Sequence, residues 1–392
     1  MAMKMNKMRH AYNSLILVFF LFGCTEVIVI ETQDFEDIVV ISANITSETK
    51  QQEINISRTY KVGFQDIKES GARVMVTDDL GANFEFSEST PGTYISDIVF
   101  AAQLDRNYKL TITTTDGNSY SSESVSPINT AFLEDVRVEA VTDNNGEEGI
   151  AIKVDSFDPE EKARYFRYEY EETYLIQSLF NNSKDLIIVS ENPPTFETVP
   201  KSKEENICYN TVFSNEILIA SSDQTTDGRV TNFQLNFIPR DDLKIRRRYS
   251  ILVHQFVQSR EANAFYKSLL DFSSNENLFI QTQPGFISGN IKSENTKAKV
   301  LGFFEVSMLS SKRIFFNFRD VFPEGLSSRY TLGCGIEEFD SSRYDVLLSR
   351  LQGGRVKFLS FEQDTGTYKV ARDLCVDCTL HGTNIKPDFW ID

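Results

Sequence analysis

The chain has 392 residues, 41% hydrophobic and 25% charged, with a formal net charge of −17. Those fractions describe a folded body of more than one domain and exclude a disordered tail. The acidic excess argues against binding to phosphate backbones and against adsorption on anionic lipid by charge alone, so no nucleic-acid partner is expected.

The amino terminus is the most informative stretch. Lys4, Lys7 and Arg9 precede the apolar run Leu15–Phe22, followed at once by Gly23 and Cys24. The run is shorter than the roughly 20 apolar residues of a permanent spanning helix. A basic head, a short apolar stretch and a small residue before the break describe a cleaved export signal. Leu21-Phe22-Gly23-Cys24 resembles a bacterial lipobox, in which the cysteine is lipidated and becomes the first residue of the mature protein; an ordinary secretory signal with an incidental cysteine is the alternative. The expectation is a signal peptide over 1–23, a lipidated tether over 24–38, and an exported body fixed to a membrane through Cys24.

Strand signals recur from Val39 onward. Val74 and Val76, the turn at Gly81, then Phe84 and Phe86 predict a hairpin. Pro91-Gly92 predicts the next turn, before Tyr94 and Ile95. Tyr108, Leu110 and Ile112 alternate with polar residues, the period of a half-buried strand, and Asp116-Gly117 supplies a hairpin turn before Tyr120. Short strands at this spacing predict a β-sandwich over 39–127. The segments ARVMVTDDLGANFEF, PGTY and LDRNYKLTITTTDGNSY resemble the small immunoglobulin-like or prealbumin-like modules of envelope proteins. Ser121–Pro127, polar and ended by proline, is the expected boundary.

Residues 128–392 read as a larger β-rich domain. Val136/Val138 and Ile150/Ile152/Val154 alternate; Asp143–Glu148 between them reads as a hairpin turn, because its spacing departs from that of a calcium loop. Phe166, Tyr168 and Tyr170 alternate with Arg167, Glu169 and Glu171, predicting a strand with one charged face. The polar excursion at 181–206 leans to a binding loop. Leu243–Gln255 predicts a strand, and Ser259 caps one amphipathic helix near 259–272, whose apolar stripe is expected to pack on a sheet. Val300–Phe304 and Ile314–Phe318 are further strands. The fold class is therefore mainly β, with an N-terminal β-sandwich, a larger β-rich domain and one helix.

Catalytic signals are weak. His254 and His381 are the histidines left after the signal, and His254 sits in an apolar strand pattern that suits a structural role. The acidic pairs Asp78/Asp79, Glu171/Glu172 and Asp241/Asp242 read as solvated turns and edges, and Arg246-Arg247-Arg248 as partners for acidic neighbours. Hydrolase, zinc-protease and nucleotide motifs are absent, so a non-enzymatic protein without cofactors is expected. With Cys24 lipidated, Cys208, Cys334, Cys375 and Cys378 remain. An even number in an oxidising compartment predicts two disulfides, with three connectivities open. Cys375-Val376-Asp377-Cys378 admits two other readings: a redox dithiol, which wants a helix start, and a zinc site with His381. The compartment favours disulfides. Trp390 reads as a pin for the chain end.

Across most of its length the chain resembles a large group of Bacteroidota outer-membrane lipoproteins known only as a domain of unknown function (number four-two-four-nine). The landmarks are Cys24-Thr25-Glu26-Val27-Ile28, the hairpins at Gly81 and Pro91-Gly92, the Tyr249–Leu270 strand-to-helix segment, and Gly289-Asn290-Ile291 followed by VLGFF. The closing CVDCTLHGTNIKPDFW completes them. Tyr209 after Cys208 and Thr379 after Cys378 depart from the pattern. The resemblance implies an outer-membrane, surface-facing lipoprotein acting as a capture or capping partner of a TonB-dependent outer-membrane receptor, and carries over no catalytic residue. The alternative is a structural accessory subunit of a secretion or barrel-assembly machine.

Overall fold

The computed structural model describes residues 38–59, 67–225, 227–274, 287–295, 298–325 and 333–392. The expected signal, Cys24 and the tether up to residue 37 lie outside the described residues. The architecture is mainly β.

The first sheet begins with β1 (Val39–Thr46), β2 (Glu53–Arg58), β3 (Ile67–Lys68), β4 (Arg73–Asp78), β5 (Asn83–Thr90), β6 (Thr93–Ser96), β7 (Tyr108–Thr113) and β8 (Ser119–Ser122). The β4–β5, β5–β6 and β7–β8 hairpins turn where the sequence places them, at Gly81, Pro91-Gly92 and Asp116-Gly117. The alternating Tyr108, Leu110 and Ile112 are all buried.

The middle of the chain supplies β9 (Phe132–Thr142), β10 (Glu148–Phe157), β11 (Tyr165–Gln177), β12 (Lys184–Glu191), β13 (Pro194–Pro200), β14 (Ile207–Phe213), β15 (Leu218–Ser221), β16 (Arg229–Pro239), β17 (Arg248–Gln258) and helix α1 (Arg260–Ser274). After α1 come β18 (Ile291–Ser293), β19 (Val300–Ser307) and β20 (Leu309–Asn317). Two of these return to the first sheet: β18 pairs antiparallel with β8, and β19 pairs parallel with β1. The sheet order is then β18-β8-β7-β4-β5-β6-β2-β1-β19, with β3 on β2. Strands about 4.8 Å apart would make a flat sheet of that width ~40 Å across. Yet Tyr120 and Ile291 at one end share a core with Ile41 and Phe304 at the other. The sheet therefore folds over on itself as a sandwich. Its last two strands lie beyond residue 127, so a division into 39–127 and 128–392 leaves them out. Ser121 and Ser122, read as boundary, are buried in β8, where Ser122 Oγ accepts from Leu110 N at 2.9 Å.

A second sandwich faces sheet β16-β10-β9 against sheet β14-β11-β17-β20, with β15 on β11. Ile150, Ile152 and Val154 meet Phe166, Tyr168, Tyr249 and Ile251 in its core. Asp143 forms the β9–β10 turn, its Oδ1 accepting from the N–H groups of Asn145 and Glu147. Leu243–Ile245 is a 3₁₀ turn in place of the expected strand start, because Asp242 caps it by accepting from Lys244 N at 2.9 Å. α1 starts as expected: Ser259 Oγ accepts from Ala262 N at 3.0 Å, and Ala262 and Phe265 pack on Phe303 of β19.

Several charged residues expected at the surface are interior. Glu172 is buried and held by Asn236 at 3.0 Å, Lys244 at 2.7 Å and the Tyr249 hydroxyl. Asp78 is buried against Arg106. On the charged face of β11, Glu169 stays exposed and Glu171 half-buried as expected, but Arg167 is buried beside Glu305 of β19.

The chain ends in a small unit of β21 (Ile336–Phe339), helix α2 (Tyr344–Gln352), β22 (Val356–Glu362) and β23 (Thr367–Arg372), with sheet order β21-β23-β22. The nine-residue α2 has no counterpart among the sequence expectations, which held one helix. The excursion at 181–206, expected as a binding loop, is largely the β12–β13 hairpin. Its Phe196 ring meets Tyr344 at 5.6 Å and Tyr368 at 5.4 Å, which makes it part of this unit's core.

Candidate functional site

The cysteine-bearing segment after β23 folds as two short 3₁₀ turns, Asp373–Cys375 and Cys378–Leu380. Cys375 is bonded to Cys334, and Cys378 to Cys208 of β14, with Cα–Cα separations of 5.8 and 5.6 Å. All four sulfurs are thereby used. The zinc reading of Cys375, Cys378 and His381 fails because neither sulfur is a thiolate. The dithiol reading fails with it, since the two cysteines are bonded to different partners. Among the described residues no group of three or more His, Cys, Asp or Glu is placed to hold a metal ion.

Asp377 between these cysteines is buried with charge around it. Its carboxylate lies 3.1 Å from Lys357 Nζ and accepts from Thr379 N at 2.9 Å. Burial pushes the carboxyl up, but the Thr379 hydrogen bonds and Lys357 outweigh it and bring it down to about 2. Glu205 sits alongside, 2.7 Å from both Lys201 and Lys357, and its backbone carbonyl accepts from Cys378 N at 2.8 Å. Its carboxyl is also lowered: the lysines outweigh the opposing effect of burial. The spacing inside the C-x-x-C motif thus serves a buried ion network.

The rest of the motif seals the junction. Thr383 and Tyr209 exchange backbone hydrogen bonds at 2.7 and 2.8 Å. A Cβ on Gly382 would stand 2.4 Å from the Tyr209 carbonyl oxygen, so only glycine allows this approach. Trp390 is 5% exposed, its ring edge-on to Tyr209 at 5.0 Å and Phe315 at 5.8 Å. It pins the chain end, as expected, and Tyr209 is its partner. Arg248 donates to the Ile391 carbonyl and Arg313 stacks on Phe389 at 3.6 Å, so neither is available to an outside ligand.

Where the second sandwich meets this sealed segment there is a cavity of about 650 Å³. One wall is the end of β11, held to β14 in the register Tyr174↔Asn210 and Ile176↔Cys208. The opposite wall is Arg372, Leu374 and the Cys334–Cys375 bridge, and the floor is the turn carrying Arg246 and Arg247. Three arginines and His381 face a space that no carboxylate lines. The sequence reading assigned Arg246 and Arg247 to acidic neighbours and passed over Arg372. The available signal was the run of three arginines itself, since Arg248 in the strand and its two predecessors in a turn cannot share one set of partners. His254, by contrast, has the structural place expected: Nδ1 lies 2.8 Å from Ser311 Oγ.

Two packed β-sandwiches followed by a disulfide-stapled terminal unit define the class: a mainly β protein. The chain belongs to the family described as a domain of unknown function, DUF4249, which it matches over residues 25–313. The match ends within β20, so the closing cysteine motif and the Arg372 wall of the cavity lie beyond it. A comparison with curated proteins gives no match.

Proposed function

We propose that this is a non-enzymatic lipoprotein of the outer membrane, held through Cys24 beside a TonB-dependent barrel for which it captures or caps substrate. The cysteine pattern carries this reading. Two long-range disulfides suit a protein folded in an oxidising compartment, and they take up the four cysteines of the described residues, with Cys24, after a short apolar run and Gly23, outside both bridges. A lipid there confines the body to the membrane plane and raises its effective concentration at a neighbouring barrel.

The first sandwich supplies a surface for such a neighbour. β1 leads away from the tether, and its eight residues span ~26 Å at roughly 3.3 Å each. At the far end the turn at 79–82 and the loop at 97–107 are joined by hydrogen bonds between Asp79 and Asn107. They carry Leu80, Ile98 and Val99, exposed by 73, 55 and 56%. Adjacent exposed apolar side chains mark contact surfaces.

Affinity purification of the full-length protein from detergent-solubilised outer membranes tests the reading. A TonB-dependent barrel co-elutes with the wild type, and Leu80→Asp with Ile98→Asp cuts recovery about tenfold, as loss of ~1.4 kcal/mol implies. Elution alone sinks it. Co-elution of secretion or barrel-assembly subunits replaces it with the accessory-subunit reading.

A further inference from the structure

We propose that the cavity between the second sandwich and the disulfide-bonded terminus binds a small organic anion, recognised through a carboxylate, sulfate or phosphate group. This deepens the capture reading by naming a ligand class, and rests on that reading for its biological meaning.

Three observations converge on this cavity. The first is charge. The chain has 57 acidic and 40 basic residues, yet the cavity gathers Arg246, Arg247, Arg372 and His381 without one acidic side chain in its lining. Elsewhere the same composition surrounds an arginine with carboxylates: Arg137 meets Asp135, Glu139 and Asp155. Among the described residues the side chains of Arg247 and Arg372 have no ion pair and no hydrogen bond. Arg247 and Arg372 are two like charges without a counter-charge, an arrangement that raises the free energy, and an anion between them removes that cost. Guanidinium groups present paired donors that match the oxygens of carboxylate, sulfate and phosphate.

The second observation is size and polarity. A volume of about 650 Å³ lies within the ~300–1,000 Å³ of small-molecule sites. Beside the arginines, the side-chain amides of Gln177 and Asn181 make no hydrogen bond with any described residue. Those amides suit the hydroxyl or carbonyl groups of a small organic ligand better than a bare inorganic ion.

The third is rigidity. Arg372 ends strand β23 of the terminal unit, Arg246 and Arg247 belong to the second sandwich, and the Cys208–Cys378 and Cys334–Cys375 bridges flank the space between them. Fixing the opposing walls in advance lowers the ordering cost of binding.

The test uses detergent-purified full-length protein and calorimetric titration with citrate, glucuronate, inorganic sulfate and inorganic phosphate, each against chloride at matched ionic strength. Saturable binding of at least one oxyanion is expected, weakened about tenfold or more by Arg247→Ala and by Arg372→Ala, with Arg73→Ala, an exposed arginine of β4 in the first sandwich, unchanged. Tight binding of citrate or glucuronate over sulfate and phosphate identifies a carboxylate ligand, and the reverse order a sulfate or phosphate ester. Absence of saturation with all four, or binding as tight as wild type by both cavity variants, overturns the proposal. Both arginines are exposed, so replacing them empties no core. Loss of anion binding with barrel co-elution intact removes this inference alone; loss of co-elution with anion binding intact removes the capture reading alone.

Discussion

Asn290 holds Phe304 by both halves of its backbone: the side-chain Oδ1 accepts from Phe304 N at 2.7 Å, and Nδ2 donates to the Phe304 carbonyl at 2.9 Å. The Asn290 carbonyl meanwhile accepts from Glu123 N at 2.9 Å. One residue thus joins the β8–β18 end of the first sheet to β19 at the other, and closes the sandwich. Its neighbour Gly289 lies so close to β19 that a Cβ would sit 1.7 Å from the Gly302 carbonyl oxygen.

Asn290→Ala is therefore expected to leave two buried backbone groups of Phe304 without partners, at about 1–3 kcal/mol each. The melting temperature of the body should fall by several degrees, with about 2–4 °C for each kcal/mol in a domain of this size. Thermal unfolding by circular dichroism measures it, and an unchanged melting temperature contradicts the closing role.

The two disulfides close loops of very different length, 170 residues for Cys208–Cys378 and 41 for Cys334–Cys375. Chain entropy makes the longer loop the stronger constraint by about 1 kcal/mol. The Cys208→Ser/Cys378→Ser pair should lose more stability in denaturant melts than Cys334→Ser/Cys375→Ser. Peptide mapping without reduction should recover these two linkages; free thiols or exchanged partners would refute the pairing.

Acid should loosen the same junction. Asp377 has its folded-state pKa at about 2, below the ordinary 3.8. Its contribution is present in full above the unfolded value and is lost as pH falls from about 4 toward about 2. The difference is worth about 2 kcal/mol. Trp390 is the chain's single tryptophan and lies in the sealed segment, so its emission reports undocking. Wild type should shift to the red across that window after a fixed dose of urea. Asp377→Asn should be less stable at neutral pH and show a flatter response. An equal slope in both proteins removes Asp377 as the source.

Hairpins were legible in the sequence because their information is local: Gly81, Pro91-Gly92 and Asp116-Gly117 carry the turn chemistry themselves, and period-two alternation marks the strands between. The pairing of β1 with β19 was not, because nothing in Val39–Thr46 specifies a partner some 260 residues onward. Asn290 was visible only as part of a motif, its backbone-like role appearing once Phe304 was beside it. Alternation said only part of the story at β11: it separates two faces of a strand without saying where the second meets water, as at Glu169, and where it meets another sheet, as at Arg167. The cavity needed both disulfides before Arg372 could be placed opposite Arg247.

That second face of β11 leads to the strongest test of how the two sandwiches hold together. Arg167 lies 3.4 Å from Glu305 Oε2 on β19 of the first sheet and stacks over Phe256 at 4.4 Å and Tyr266 at 5.1 Å. Burial pushes the Tyr266 phenol well up, so it stays protonated beside the Glu305 carboxylate. Burying this pair is expensive, and its mutual attraction does little more than offset desolvation. Breaking it is another matter. Arg167→Met alone strands a buried carboxylate and is expected to cost about 3–5 kcal/mol. Glu305→Leu alone costs less, because the Arg167 guanidinium keeps its ion pair with Glu169. The double replacement removes both charges and should recover most of the loss, giving a large favourable coupling in a double-mutant cycle. Additive penalties in denaturant unfolding would show instead that Arg167 contributes through its packing on Phe256 and Tyr266, with the ion pair incidental.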